Sequence, residues 1–325
     1  MRALVLSNML PDAAHPERGR FVRDQAAALR GLDGLDIELY EFPPGGRALA
    51  HAALELRRRY GGPSLLTHRP SRAPFDVVHA HFGLTAWPAL TVPTRLRALT
   101  VHGTDVIHPR TRQATRAVSP LIDLLGAVSR SLVDSLPGRA ARRRAQVLPC
   151  GVDLERFHPV PRSSARTQLG LDPDRPYLLF AADPNRTEKR HDRALALARE
   201  TGVELLTLGA VDPELVPLWV NAANAVLVPS EREGFGLAVL EALACDVPVL
   251  ATPVGVHPEA LADVNGALCE PFDLVSWRAA LEPHLSAADP RVRGRASAKR
   301  FSSQRMAERV ADAWRAGLER AEKLT

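Results

Sequence analysis

Two glutamates in the second half of the chain have a spacing that suits a sugar-like ligand. The stretch 230–255 reads SEREGFGLAVLEALACDVPVLATPVG, in which seven residues separate Glu233 from Glu241. If a turn carries the first and a helix carries the second, the helical rise places the two carboxylates roughly 8 to 10 Å apart. Ionised carboxylates only accept hydrogen bonds, and a vicinal diol offers two donors. The pair could therefore grip two parts of one extended ligand; the alternative is two unrelated surface charges.

The residues between the two glutamates predict a place for an anionic or hydroxyl-rich group. Gly234 and Gly236 allow the backbone to turn closely after a strand. A helix that begins near Phe235 would direct its free N–H groups, including that of Leu237, and the positive end of its dipole toward the ligand.

The elements that must position these residues follow from hydrophobic periodicity. Eleven short apolar runs alternate with longer segments of helical period, which is typical of parallel sheets in α/β proteins. The predicted strands are 2–7, 36–42, 76–81, 98–103, 124–129, 145–149, 177–182, 203–209, 225–230, 247–252 and 266–270. Residues 151–176 contain four proline interruptions and are the best linker candidate. Two α/β domains joined by one linker predict a cleft, with ligands at the carboxyl ends of the strands.

The last segment of the chain predicts one long amphipathic helix. Met306, Val310, Trp314 and Leu318 follow one another at intervals of four residues, so they form an apolar stripe on one helical face. Such a stripe needs a surface on which to pack.

Composition and charge narrow the classes of partner and compartment. The formal net charge is +5, with a basic cluster at Arg139 and 142–144 near the end of a predicted helix 129–144. A solvated helix end and an anionic membrane surface both remain open for this cluster. Aromatic residues are only 5%, which argues against nucleic acid as a partner. Three widely spaced cysteines and the lack of a long apolar run indicate a cytoplasmic protein without a disulfide framework or zinc site.

Several motifs together resemble the family 4 glycosyltransferases of GT-B architecture. The donor-binding signature of that family has Glu, seven residues, Glu, then a Pro-Val strand and a Thr-x-x-Gly turn, and 233–255 matches it. Further segments similar to the family are RGRFVRDQAAAL (18–29), HGTD (102–105), VLPCGVDLERFHP (147–159) and LFAADPNRTEKRHD (179–192). The resemblance therefore extends over most of the chain.

The resemblance implies a fold and a reaction. We expect two Rossmann-like domains that face a central cleft: residues 1–157 bind the acceptor and 158–302 bind the donor. A C-terminal helix, 303–325, is expected to cross back to the first domain. The expected reaction is a retaining, metal-independent transfer of a sugar from a nucleotide-diphosphate sugar to an acceptor hydroxyl. The acceptor would attack from the front face and pass its proton to the leaving phosphate; the acceptor's identity and the oligomeric state stay open.

The same resemblance implies roles at the donor. Gly19 corresponds to the glycine that approaches the diphosphate, and His102 is expected to contact the donor sugar near the reacting carbon. Glu233 would hold the sugar or its phosphate side, and Glu241 would hold the ribose diol. No cofactor other than the donor substrate is expected.

A metal-free site must neutralise the leaving diphosphate with cations. Lys189 lies where the family places one of them, but Pro184 occupies the position of the usual arginine, five residues earlier. The second cation is therefore Arg186 or Arg190, and we prefer Arg186. A solvated helix start is the alternative for this segment.

The remaining predicted contacts concern the base and the acceptor. The base is expected to be read near Gly209 and Val211, mainly through backbone groups. His79 and His81 share one face of a predicted strand, which leaves metal binding, strand packing or lining of the acceptor cleft open. No third ligand stands at a suitable spacing, so we predict no metal site and assign His81, with Asp105, to the acceptor cleft.

Two other functions stay open as alternatives for this chain. A GT-B-shaped sugar-nucleotide epimerase or hydrolase would share the diphosphate site but need no acceptor. A non-enzymatic basic protein that binds lipid head groups or nucleic acid would depend on the cluster at Arg139 and 142–144 instead. Dinucleotide and Walker-type glycine motifs are absent, which argues against an oxidoreductase or an ATPase.

Overall fold

Each half of the chain builds its own parallel sheet. The computed structural model describes residues 1–13, 15–61, 73–209 and 211–323. They form two units: Met1–Gly151 together with Ser303–Thr325, and Val152–Ser302.

The strands of the described residues number eleven, and each overlaps one of the predicted runs, although β4 begins four residues before the predicted run 98–103. In chain order they are β1 (Arg2–Ser7), β2 (Asp36–Glu41), β3 (Phe75–His81), β4 (Thr94–Val101), β5 (Leu124–Ala127), β6 (Gln146–Val147), β7 (Tyr177–Phe180), β8 (Glu204–Thr207), β9 (Ala225–Val228), β10 (Val249–Ala251) and β11 (Leu268–Cys269). Their order is β2-β1-β3-β4-β5-β6 in the first unit and β11-β10-β9-β7-β8 in the second. Every pairing is parallel.

Helices connect the strands, as parallel pairing requires. In the described residues they are α1 (Arg20–Arg30), α2 (Gly46–Tyr60), α3 (Ala86–Ala89), α4 (Thr104–Ile107), α5 (Pro109–Val118), α6 (Arg130–Ser135), α7 (Arg139–Arg144), α8 (Arg162–Leu169), α9 (His191–Thr201), α10 (Val216–Ala222), α11 (Leu237–Ala244), α12 (His257–Leu261), α13 (Leu274–Ser286), α14 (Arg295–Ala298) and α15 (Ser303–Glu322). None of them combines the length and the apolar character needed to span a bilayer.

The core of the first unit includes the C-terminal helix. Met306, Val310 and Trp314 of α15 are buried in one cluster with residues of β1, β3, β4 and α1. Leu318 packs at the edge of that cluster. The apolar stripe predicted from the sequence thus covers one face of the first sheet, because a helix with such a stripe must bury it.

The second unit begins before the predicted linker ends. Helix α8 lies inside 151–176, and its Arg162 and Arg166 are almost fully buried. Arg162 donates to the carbonyl of Ala288 at 2.8 Å, and Arg166 donates to the Asn224 amide oxygen at 2.8 Å. The linker interpretation is therefore wrong for α8, since buried arginines that bond carbonyl and amide oxygens make it part of the second unit.

One predicted helix is interrupted. The segment 129–144 forms α6 and α7, with Pro137 and Gly138 between them. Gly138 adopts a φ of 99° and Pro137 has no N–H, so a single helix cannot continue through them.

Candidate functional site

Glu233 and Lys189 form the centre of the site in the second unit. The Lys189 ammonium lies 2.6 and 2.7 Å from the two Glu233 carboxylate oxygens, and Ser230 donates to Oε1 at 2.7 Å. The side chains are only 13% and 8% exposed. Burial by itself would raise the pKa of Glu233, but the charge of Lys189 and the hydrogen bonds outweigh it, and the pKa is lowered. Glu233 is therefore an anion at neutral pH, and it is paired with Lys189.

The bonding of this pair leaves capacity for a ligand. An ammonium has three N–H donors, and Glu233 takes two of them. Oε1 of Glu233 accepts from both Lys189 and Ser230, whereas among the described residues Oε2 accepts from Lys189 alone. One donor on Lys189 and one lone pair on Oε2 can therefore serve a phosphate oxygen and a hydroxyl.

The turn after Glu233 leads directly into helix α11. Gly236 caps α11 with a φ of 107°, and no side chain in the described part of the chain caps the helix. Leu237, Ala238 and Glu241 of α11 retain exposed surface, whereas Val239 and Leu240 are buried. The first N–H groups of a helix lack partners within it, so this end of α11 offers donors and a positive dipole beside Glu233.

The turn itself is held from below. A Cβ on Gly236 would lie 2.4 Å from Nε2 of the buried His257, and a Cβ on Gly255 would lie 2.2 Å from the Phe235 carbonyl oxygen. His257 Nδ1 donates to the Thr252 carbonyl at 2.8 Å, and the Thr252 hydroxyl donates to the Ser230 carbonyl. The Thr-x-x-Gly turn and His257 therefore shape the backbone between Ser230 and Gly236.

The other predicted residues of the turn contribute through backbone groups. The Phe235 side chain is buried against Phe301, so only its backbone faces the turn. Gly234 and Leu237 are partly exposed at the turn and on the first residue of α11. Sequence reasoning missed Ser230 and His257 as supports of the turn. Ser230 ends the predicted strand, which is a signal for a functional position, whereas His257 carries no such signal.

The two candidate arginines are differently engaged. Arg186 directs Nε and Nη2 to a single oxygen of Glu188, at 3.0 and 2.8 Å, and its side chain is 55% exposed. Arg190 holds both oxygens of Asp192, at 2.9 and 2.7 Å, and adopts a left-handed φ of 57°. Arg190 also lines a surface pocket that includes Asp192 and Glu231. Because Arg190 binds both oxygens of one carboxylate and lines the same pocket as Glu231, it is less suited than Arg186 to bind a diphosphate.

Pro184 lies next to Gly209 of the predicted base site. Gly209 has no side chain, and a Cβ there would lie 3.1 Å from the Pro184 ring. Val211 follows and is partly exposed. Ala210, between them, lies outside the described residues. The structure thus brings the base segment next to the residue that replaces the usual arginine.

His102 and His81 form the predicted site of the first unit. His81 Nδ1 and His102 Nε2 are 2.9 Å apart, and the partly exposed His102 ring lies against Phe21 and Phe82, with centroids at 4.8 and 4.7 Å. Phe82 has a left-handed φ of 72°, which is strained for a large side chain. Burial lowers the pKa of His102 to about 3 and holds that of His81 well below its usual range. Both rings are therefore neutral.

Asp105 serves the backbone of this site. Its buried carboxylate accepts from the N–H groups of His102, Gly103 and Gly83, at 3.0, 2.8 and 3.3 Å. Burial raises its pKa to about 6, although these hydrogen bonds act in the opposite direction. Asp105 therefore braces the turn that carries His102, and its place in the acceptor cleft stays a prediction.

The backbone conformation at position 19 and the atoms around it require a glycine. It adopts a φ of 71° as the cap of α1, and a Cβ would lie 2.4 Å from the Met9 carbonyl oxygen. Close packing of the loop before α1 is thus a sufficient reason for glycine here, and its approach to a diphosphate stays a prediction.

The surroundings of His79 bear on the three alternatives for His79 and His81, which are metal binding, strand packing and lining of the acceptor cleft. His79 is fully buried, bonded to Thr100 at 2.8 Å and to Trp314 at 3.2 Å, as strand packing predicts. Within the described ranges no three His, Cys, Asp or Glu side chains are grouped as metal ligands.

Part of the basic cluster at Arg139 and 142–144 forms hydrogen bonds within the first unit. Arg142 donates to the Leu136 carbonyl at 2.8 Å, and Arg144 donates to the carbonyls of Ser119 and Ile122. These two arginines tie α7 to its neighbours. Arg139 and Arg143 are exposed on the same helix.

Comparison with known proteins gives matches along most of the chain. A family model described as Glycosyltransferase Family 4 matches residues 18–156, and one described as Glycosyl transferases group 1 matches residues 169–301. A D-inositol 3-phosphate glycosyltransferase from Xylanimonas cellulosilytica is 30% identical over 353 aligned positions, which cover 91% of this chain and 81% of that protein.

Solved structures match nearly the whole chain. Sucrose-phosphate synthase from Thermosynechococcus elongatus has a TM-score of 0.70 at 18% identity, covering 97% of this chain and 98% of its own. Anabaena HepE in complex with UDP-glucose has a TM-score of 0.64 at 16% identity, covering 97% and 100%. At such low identity the likeness shows the fold alone, and it confirms the predicted GT-B fold.

Proposed function

This chain belongs to glycosyltransferase family 4 and is a glycosyltransferase, and from that premise we propose that it transfers a sugar from a nucleoside-diphosphate sugar to an acceptor hydroxyl with retention of anomeric configuration. The enzyme assignment sets aside the non-enzymatic reading of the basic cluster. The observation that carries the donor proposal is the Lys189–Glu233 pair beside the uncapped start of α11.

The donor diphosphate is proposed to meet positive charge without a metal ion. Lys189 supplies one cation with an N–H to spare, and the N–H groups at the start of α11 supply oriented dipoles. We propose Arg186 as the second cation, because its exposed guanidinium grips only one oxygen of Glu188 and can exchange it for a phosphate oxygen. HepE is described as binding UDP-glucose, which supports a nucleoside-diphosphate sugar as the donor class.

The two glutamates are proposed to hold the two ends of the donor. Glu233 would accept a sugar hydroxyl at its free lone pair on Oε2, and Glu241, on the exposed face of α11, would accept the ribose diol. Because one glutamate is on a turn and the other is on the helix that follows it, the distance between their carboxylates is fixed, which supports binding of a ligand of fixed length.

The proposed bond changes balance without a protein nucleophile. The bond between the anomeric carbon and the leaving phosphate oxygen breaks, and the diphosphate takes the electron pair. The acceptor oxygen forms its bond on the same face, and its proton passes to the departing phosphate. Lys189 and Arg186 would stabilise the charge that develops there, while His102 would contact the donor sugar.

The acceptor class is left at a hydroxyl-bearing molecule. The relative from Xylanimonas is described as acting on D-inositol 3-phosphate, so this compound is the first acceptor to test. Peripheral membrane contact through Arg139 and Arg143 also stays a proposal, supported by their exposure on α7. Sedimentation with anionic vesicles, compared with the Arg139→Ala/Arg143→Ala variant, tests it; equal binding by both proteins would contradict it.

The experiment that tests the function first identifies the donor. Thermal unfolding is followed with a panel of nucleoside diphosphates and nucleotide sugars, because a ligand that binds the folded state raises the Tm. The best donor is then incubated with and without acceptors, and NMR gives the anomeric configuration of the product. We expect a Tm shift and an acceptor-dependent, retained product. Turnover that acceptors do not increase would indicate a hydrolase or epimerase, and an inverted product would exclude retention.

A further inference from the structure

Trp314 begins a chain of hydrogen bonds beneath His102. Its indole N–H donates to Nδ1 of His79 at 3.2 Å, across 235 positions of the sequence. An indole N–H can only donate, so Nδ1 of His79 must be an unprotonated acceptor. Burial lowers the pKa of His79 to about 3, so the ring is neutral and its proton resides on Nε2.

The direction of this first bond sets the next one. Nε2 of His79 lies 2.8 Å from the Thr100 hydroxyl oxygen. Since Nε2 carries the proton, His79 donates and Thr100 accepts. The hydroxyl of Thr100 keeps its own hydrogen as a donor, and Thr100 lines a small cavity.

A cavity joins Thr100 to the second histidine pair. It measures about 10 Å³, which is the size that holds one water molecule, and Gln25, His81, Thr100 and Cys150 are among its lining residues. Within the described part of the chain, Oε1 of Gln25 and Nε2 of His81 are buried without a hydrogen-bond partner. Burial raises the pKa of the Cys150 thiol to about 12, so it adds no charge. The orphaned polar atoms and the volume together describe a water site.

The hydrogen-bond count at this site favours one direction. A water that accepts from Thr100 has two hydrogens, and these satisfy Gln25 Oε1 and His81 Nε2. If the Gln25 amide presents its NH₂ group instead, the water accepts from Gln25 and Thr100 and donates one hydrogen to His81, and its second hydrogen is unpaired. A donating His81 Nε2 would leave one water hydrogen unpaired in the first case. In the second case it would give the water three donors for two lone pairs and leave both water hydrogens unpaired. Buried unpaired donors are the costlier defect.

We propose that a one-way chain from Trp314 through His79, Thr100, one buried water and His81 holds His102 as the tautomer protonated on Nδ1. His81 accepts at Nε2 and therefore donates from Nδ1 to Nε2 of His102, 2.9 Å away. The proton of His102 then resides on Nδ1, the nitrogen left for a ligand. His102 is thus a hydrogen-bond donor to an oxygen of the substrate; this consequence rests on the proposed function, whereas the tautomer does not.

The assignment makes His79, His81 and Thr100 positioning residues. They do not touch the substrate, and they act by deciding which nitrogen of His102 carries the proton. The His81–His102 pair has two tautomeric arrangements that keep the hydrogen bond between the rings. Only one of them presents an N–H to an oxygen that gains charge as the sugar transfers.

The test reads the tautomer directly in the full-length protein. Histidine ring nitrogens are observed by NMR on isotopically labelled enzyme, with His102 assigned from a His102→Gln variant. Thr100→Val preserves side-chain volume and β-propensity but removes the hydroxyl, and Thr100→Ser restores a hydroxyl. We expect Nδ1–H on His102 in the wild-type protein and in Thr100→Ser, and mixed tautomers in Thr100→Val with kcat about tenfold lower and KM little changed.

Each outcome of this experiment either supports or overturns the proposed tautomer of His102. A wild-type His102 protonated on Nε2 overturns the proposal whether or not the variants fold. An unaltered tautomer and kcat in a folded Thr100→Val also overturn it. If the wild-type tautomer is as proposed but no nucleotide sugar is bound or turned over, the chain stands and the proposed function fails.

Discussion

Lys189 donates to both carboxylate oxygens of Glu233, at 2.6 and 2.7 Å, although 44 positions separate the two residues in the chain. The pair is largely shielded from solvent, so its charges act at a lower effective dielectric than surface charges do. A buried cation whose third N–H is available is suited to stabilise a leaving diphosphate.

Replacement of Lys189 should therefore lower turnover. We expect Lys189→Ala to reduce kcat by about 10²- to 10³-fold, the range seen when one preorganised donor to a developing charge is removed. Lys299, which is exposed on the same unit, provides the matched control: Lys299→Ala should leave kcat within about twofold. Steady-state kinetics of sugar transfer, with thermal unfolding as a check of folding, give the answer. Equal kcat in both variants would remove Lys189 from the site.

The two arginines near Lys189 should differ. Arg186→Ala is expected to weaken nucleoside diphosphate binding by about 10- to 100-fold, because a charge-assisted hydrogen bond is lost. Arg190→Ala should change it by less than about threefold, since both of its Nη and Nε contacts go to Asp192. Isothermal titration with the best nucleotide measures both. The reverse order would assign the second cation to Arg190.

Glu241 is expected to accept hydrogen bonds from the ribose hydroxyls. Glu241→Ala should weaken nucleoside diphosphate binding by about tenfold, the value of one hydrogen bond to a charged group. A 2′,3′-dideoxy analogue should bind the wild-type protein as weakly as the normal nucleotide binds the variant, and the variant should not distinguish the two nucleotides. Glu319→Ala on α15 controls for loss of an exposed helical charge. Continued discrimination by Glu241→Ala would contradict the ribose contact.

Gly236 should tolerate no side chain. It shares a strongly positive φ with Gly138, 107° against 99°, but a Cβ on Gly236 meets His257 Nε2 at 2.4 Å, whereas a Cβ on Gly138 meets nothing within 4 Å. Gly138→Ala should cost about 1 to 2 kcal/mol of unfolding free energy from backbone strain alone. Gly236→Ala should cost about 1 to 3 kcal/mol more because of the clash. Denaturant unfolding of both variants measures the difference, and equal losses would show that His257 moves freely.

Asp105 should make stability depend on pH. Its folded pKa is raised from 3.8 to about 6, so the folded state binds the proton more tightly than the unfolded state. The stabilisation that this proton brings is complete below pH ~4 and is lost as pH rises through ~6, a change of about 3 kcal/mol. Asp105→Asn should remove that dependence. Unfolding free energies of both proteins between pH ~4 and ~7 test this, and parallel curves would show that Asp105 has an ordinary pKa.

Much of the architecture could be predicted from local sequence. All eleven strands overlap the predicted apolar runs. Central strands such as β1 and β9 are buried on both faces and are therefore almost continuously apolar. The stripe of Met306, Val310 and Trp314 likewise identified the buried face of α15. The interval between Glu233 and Glu241, with its glycines, located a helix start whose N-cap is Gly236.

What local sequence could not decide is which distant groups meet. Four prolines indicated a linker where Arg162 and Arg166 are buried in the second unit, because a buried guanidinium needs acceptors that only the folded chain assembles. The pairing of Lys189 with Glu233, and of Trp314 with His79, joins elements that are far apart in sequence. Hydrophobic period and glycine position act over a few residues, and they determined the elements. Ion pairs, tautomers and shifted pKa values depend on neighbours brought together by the sheet order, so the tertiary structure alone decided them.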